Sequence, residues 1–172
     1  MKKILTIIIS IIIISNNLNA DTIIHVGNLI DGKSDRTSKN VTIHISDSTI
    51  KKIEQGFSVP NADDKVVNLK NHTVLPGLMD THVHLTGEYN ANSRLQRFIL
   101  NEADYAFNAA KYAKKTLEAG FTVVRNLGGP FNVTVALRKA IEEGDVPGPK
   151  IFTAARSLSS TGGHGDSTNG WA

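Results

Sequence analysis

The chain has 172 residues, 40% of them apolar and 20% charged, a composition that suits a globular protein and excludes a largely disordered one. Nineteen basic against sixteen acidic residues leave a formal charge of only +3, with acids interspersed among the bases, which argues against a nucleic-acid surface. The absence of cysteine excludes disulfides, thiolate ligands and thiol nucleophiles, so any metal chemistry falls to histidine and carboxylates.

Residues 1–20 have the pattern of a signal peptide: Lys2 and Lys3 precede an apolar run over residues 4–14, and Leu18-Asn19-Ala20 offers a small residue at a cleavage point. A spanning helix needs about 20 apolar residues, and Asn16 and Asn17 interrupt this run too early. The expectation is export to the periplasm or medium, with no membrane association after cleavage. Loss of the two lysines takes the formal charge from +3 to +1, which leaves no electrostatic argument for a particular partner.

Residues 21–73 read as a small β-layer, with strands expected at 22–26, 41–46, 50–53 and 65–69, punctuated by Asp31-Gly32, Asp47-Ser48 and Gly56. His25, His44 and His72 lie in or beside it without a ligand-like neighbour at useful spacing, so no chemistry is assigned to them.

At residue 74 the pattern changes to alternating strands and helices. The run Val74-Leu-Pro-Gly-Leu-Met-Asp-Thr-His-Val-His-Leu85 is broken by Pro76-Gly77 and then becomes an apolar strand. Its alternation puts Asp80, His82 and His84 on one face, expected to be buried. Imidazoles at i and i+2 can converge on one cation at about 2.0–2.1 Å from each nitrogen, so His82 and His84 read as half of a metal site. Asp80, deeper along the strand, is expected to hold a structural hydrogen bond.

A long helix is expected next, with Leu95, Phe98, Ile99, Ala103, Ala106, Phe107, Ala110 and Leu117 at helical spacing and Gly120 ending it. A buried strand at 121–124, a helix containing Leu137 and Ile141 and closed by Gly144, and a strand at 150–154 follow. Strands alternating with helices imply a parallel sheet whose carboxyl ends share one rim, with His84, Asn126 and Arg156 near it. Gly128-Gly129-Pro130 lacks the Lys-Ser/Thr of a phosphate loop and reads as a strand-to-helix turn. Asn132-Val-Thr134 is formally a glycosylation sequon, but at a helix start Asn or Thr serves as a cap. In Thr161-Gly-Gly-His-Gly-Asp166 the glycines permit a close backbone approach that would bring His164 and Asp166 over the rim, or else form a flexible turn.

The segment from Thr73 to Leu85 resembles the first barrel strand of the metal-dependent amidohydrolase superfamily, whose signature is Pro-Gly-hydrophobic-hydrophobic-Asp-x-His-x-His. Residues 26–32, Val-Gly-Asn-Leu-Ile-Asp-Gly, look like the opening strand and turn of the small β-domain of these proteins. The His164 loop is similar to one in the branch of imidazolonepropionase-like and Xaa-Pro dipeptidase-like hydrolases.

The resemblance implies an α/β fold, with residues 21–73 as the N-terminal part of a small β-sandwich-like subdomain and residues 74–172 as the first three strands of a (β/α)8 TIM barrel. It also implies an incomplete fold, since a complete barrel takes about 250 residues. His82 and His84 would bind a divalent metal, zinc in most relatives, and His164 would contact substrate. The remaining metal ligands and the general base of the family come from later strands, so no catalytic group is expected within the 172 residues. In such a site bound water is acidified and the scissile carbonyl polarised. The implied activity is hydrolysis of a C–N bond in a small amide or dipeptide substrate, with a complementing C-terminal chain as a possible partner. The alternative is a catalytically inactive remnant, at most a weak metal-binding or partner-dependent module.

Overall fold

The computed structural model describes residues 20–166. Except for Ala20, the segment read as a signal peptide lies outside the described residues. The chain divides into two compact units between Pro76 and Gly77.

In the first unit, β1 (Thr22–Leu29), β2 (Ser38–Ser46), β3 (Thr49–Gln55) and β4 (Lys65–Val74) form one sheet in the order β3-β2-β1-β4. The consecutive strands pair antiparallel, while β4 returns parallel to β1. β2 and β3 are joined by Asp47 (φ 48°) and Ser48 (φ 62°), a two-residue turn with both central φ positive that matches the twist of the strands. Gly27 sits where the β1–β4 register shifts. A Cβ there would lie 2.1 Å from the Lys70 carbonyl oxygen, so the backbones meet this closely only at glycine. Val26, Leu29, Val41 and Ile43 form the core of this unit.

Two histidines of this sheet find ordinary partners. His25 is buried, with Nε2 3.0 Å from the Ser58 carbonyl oxygen, and His44 Nε2 lies 2.8 Å from Glu54 Oε1. Glu54 also accepts from Lys52.

The second unit contains β5 (Leu78–Val83), α1 (Ser93–Ile99), α2 (Glu102–Glu118), β6 (Phe121–Asn126), α3 (Val133–Glu143) and β7 (Lys150–Thr153). Its sheet is parallel, in the order β5-β6-β7. Leu85, Val124 and Ile151 pack against Ala109 and Ala113 of α2 and Val133 and Leu137 of α3. The two alanines are fully buried, so α2 presents its smallest side chains to the sheet. Each large apolar side chain in this cluster contributes roughly 1.5–3 kcal/mol relative to remaining in water.

The single long helix expected from the apolar spacing is two helices. Leu100 is extended (φ −84°, ψ 133°), and Asn101 starts α2 with a capping box. The Asn101 side chain accepts from the Ala103 and Asp104 amides, while the Asp104 carboxylate accepts from the Asn101 amide. A break here satisfies three amide donors, and the apolar spacing on either side carries no information about it. Leu95, Phe98, Ile99 and Phe107, apolar and at helical spacing, are between 56% and 78% exposed, and α1 buries none of its residues.

Asn101→Ala removes the cap and is expected to cost about 1 kcal/mol, read as a lower urea midpoint with an unchanged denaturant slope. In the first unit, the Lys52 ammonium, and after it His44, hold the Glu54 carboxyl below its ordinary range. The ionised form is therefore favoured by folding. This contribution is complete above the ordinary carboxylate pKa and is lost as pH falls through the lower folded-state value. Glu54→Gln should make the acid limb of a stability-against-pH curve, followed by urea unfolding, shallower.

Candidate metal centre

Neighbouring residues fix which way the two histidines turn. Val83 packs against the core and Leu85 belongs to it, so alternation sends His82 and His84 to the other side of the strand. Both are exposed, and their ring centroids lie 5.6 Å apart at 67°. The face expected to be buried is open: His82 and His84 are exposed, and Asp80 is only half-buried. β5 is an edge strand of a three-stranded sheet, and α2 and α3 pack on the Val124 and Ile151 face. Asp80 Oδ1 accepts the His82 amide proton at 2.9 Å and so holds the backbone beneath the first imidazole.

His84 has a second fixed atom. Its Nδ1 lies 2.9 Å from the Gly128 carbonyl oxygen, which can only accept, so Nδ1 carries the proton. In the neutral ring Nε2 then keeps its lone pair, the state required of a metal ligand.

The loops after β6 and β7 build this environment. Leu127 N donates to Val83 O (3.1 Å), Ala154 N to Asn126 O (3.0 Å) and Gly129 N to Ala155 O (3.1 Å), lacing the three strand ends together. Arg156, exposed, follows directly on this lacing. Phe131 (φ 55°) and Ala155 (φ 61°) are non-glycine residues in the left-handed region within these loops. Gly128 adopts φ 131° with Ser157 against it: a Cβ would lie 2.1 Å from Ser157 Oγ and 2.5 Å from Ser157 N. The glycine therefore serves a close backbone approach.

Asn126, expected near the rim without a role, has defined contacts there, and one of them is to Gly128 of the strand-to-helix turn. Asn126 is fully buried, with Oδ1 accepting from Leu85 N (2.9 Å) and Nδ2 donating to Gly128 O (3.2 Å). The signal was present in the sequence. Asn126 continues the alternation of Val124 on a buried face, where an amide must find partners.

A groove of about 330 Å³ runs between β5 and α2, lined by Asp80, His84, Glu88, Tyr112 and Lys115 among others, with Lys115 Nζ 3.1 Å from Glu88 Oε1. His164 lies exposed on the turn after β7, where Asp166 closes the loop by accepting from Gly162 N at 2.9 Å. The structure brings His82 and His84 together. Among the described residues His164 makes no hydrogen bond or ring contact with either, and no group of three or more His, Asp or Glu side chains is placed to hold a metal.

Imidazole donors fit a cation of the zinc type. With about 2.1 Å from metal to nitrogen and about 1.2 Å from nitrogen to ring centre, two imidazoles on one tetrahedral ion would have centroids roughly 5.4 Å apart. The observed separation is 5.6 Å.

The two histidines thus end a strand of a parallel α/β sheet whose end is laced to the next two strands. The model of the amidohydrolase family matches residues 73–169, and the chain belongs to this family, whose members are generally metal-dependent. Ochratoxinase of Aspergillus niger is 30% identical over 148 residues, which make up 84% of this chain and 30% of that protein. The crystal structure of a Xaa-Pro dipeptidase with bound methionine in the active site is 41% identical over 89% of this chain and 37% of that one, with a TM-score of 0.82. Molinate hydrolase is 25% identical over 81% of this chain and 30% of that one, with a TM-score of 0.67. The mixed α/β fold is thus similar to amidohydrolase folds of the TIM-barrel type, and the chain spans about a third of the length of the relatives it matches.

Gly128→Ala sets a Cβ against the Ser157 backbone at a φ that L-residues rarely adopt. The expected loss is about 1–3 kcal/mol from overpacking, with backbone strain added. Thermal unfolding followed by circular dichroism measures it.

Proposed function

We propose that this chain carries the first two ligands of a metal centre that hydrolyses C–N bonds in small amides, dipeptides or cyclic amides, with zinc as the metal. The observation that carries the reading is the Gly128 carbonyl on His84 Nδ1, which leaves Nε2 free to ligate. The similarity to a Xaa-Pro dipeptidase and to ochratoxinase supports the hydrolytic class.

In this reading β5, β6 and β7 are the first three strands of a (β/α)8 barrel, β1 to β4 belong to a small β-sandwich-like subdomain, and residues 1–20 direct export. His82 and His84 hold the cation, and Asp80 fixes the His82 backbone. When bound, the cation acidifies water and polarises the scissile carbonyl. The exposed, glycine-flanked His164 orients substrate from its turn. A complementing chain would supply a third ligand and the proton carrier.

A second reading, a module that binds metal weakly and hydrolyses nothing alone, is favoured by one observation. Among the described residues no third ligand-type side chain joins the histidine pair.

Zinc stoichiometry and affinity, measured by competition with a chromophoric chelator, test the shared claim. The chain is expected to bind one zinc ion, each of His82→Ala and His84→Ala to weaken binding at least tenfold, and the double variant to abolish it. Binding unaffected by the double variant would sink both readings. Turnover of a dipeptide panel by the zinc-loaded chain, absent in the double variant, selects the hydrolase, and binding without turnover selects the module.

A further inference from the structure

We propose that Asn126 is a positioning residue for His84, setting which imidazole nitrogen is free by orienting the Gly128 carbonyl. The inference rests on the reading of His84 as a ligand.

The Asn126 side-chain amide has no choice of orientation. The Leu85 N–H can only donate, so the Asn126 side-chain atom 2.9 Å from it is the oxygen. The other terminus is therefore the NH₂ group, and it faces the Gly128 carbonyl oxygen at 3.2 Å. That same oxygen accepts from His84 Nδ1 at 2.9 Å. One carbonyl with two lone pairs thus takes one bond from the buried amide and one from the exposed imidazole. Asn126 is fully buried, so water does not compete for its side chain.

Both ends of this bridge bear on His84. The Leu85 bond fixes the residue following it, and the Gly128 bond fixes the acceptor its ring must meet. The loop cannot easily relax, because Gly128 is wedged against the Ser157 backbone. Serine in its place is too short to span from the Leu85 amide to the Gly128 oxygen, and alanine makes neither bond. The carbonyl would then lose the donor that directs it, and His84 would lose the acceptor that keeps the proton on Nδ1.

The test uses imidazole ¹⁵N shifts of His84 in the metal-free chain at a pH where the ring is neutral, assigned with His84→Ala, beside zinc affinity. The wild type is expected to show a protonated Nδ1 and an unprotonated Nε2. Asn126→Ser and Asn126→Ala should lose this single tautomer and bind zinc about 10–100-fold more weakly, while circular dichroism reports a folded chain. A wild-type ring protonated mainly at Nε2 overturns the proposal whether or not either variant folds. Wild-type tautomer and zinc affinity retained in a folded variant overturn it as well. A wild-type chain that binds no zinc but shows the expected shifts, with loss of the tautomer in the variants, sinks the metal reading and leaves the positioning role standing.

Discussion

The second unit depends on one constraint: a strand cannot send neighbouring side chains in the same direction. Val83 and Leu85 are drawn to the core made by Val124, Ile151, Ala109, Ala113 and Leu137. His82 and His84 must then point away from it. The apolar burial that stabilises the sheet therefore also aims the imidazoles, and no separate interaction is needed to select their side. What remains is to fix their rotation and protonation.

Polar groups at the strand ends do this at short range. The Asp80 carboxylate holds the His82 amide, and the Gly128 carbonyl holds the His84 ring. Loop amides donate to Val83, Asn126 and Ala155 carbonyls across the three strand ends. Left-handed Phe131 and Ala155 and the close Gly128–Ser157 approach are unfavourable conformations that this lacing maintains.

Several features were legible residue by residue. The Pro76-Gly77 break, the His82–His84 spacing, the strand at 121–124, of which only Val124 is buried rather than the whole run, and Gly144 closing a helix all correspond to local physics, since each depends on alternation or backbone freedom within a few residues. The helix boundary at Asn101 was equally local but was obscured by apolar positions continuing across it. Its Asn-x-x-Asp capping box was the stronger signal. Exposure was not legible: Leu95, Phe98, Ile99 and Met79 are apolar and outside the core. Apolar character states a preference for burial, whereas burial itself requires a partner surface supplied by another element.

The sequence by itself determined the order of strands and helices, the class of chemistry open to a chain without cysteine, and the pairing of His82 with His84. These follow from periodicity and composition. Only the tertiary structure decided that Asn126, 42 positions from His84 along the chain, shares with it one carbonyl oxygen, and that Gly128 must be glycine because Ser157 lies against it. Such contacts join residues from different strand ends. Their existence depends on the parallel register of β5, β6 and β7, which no local pattern encodes.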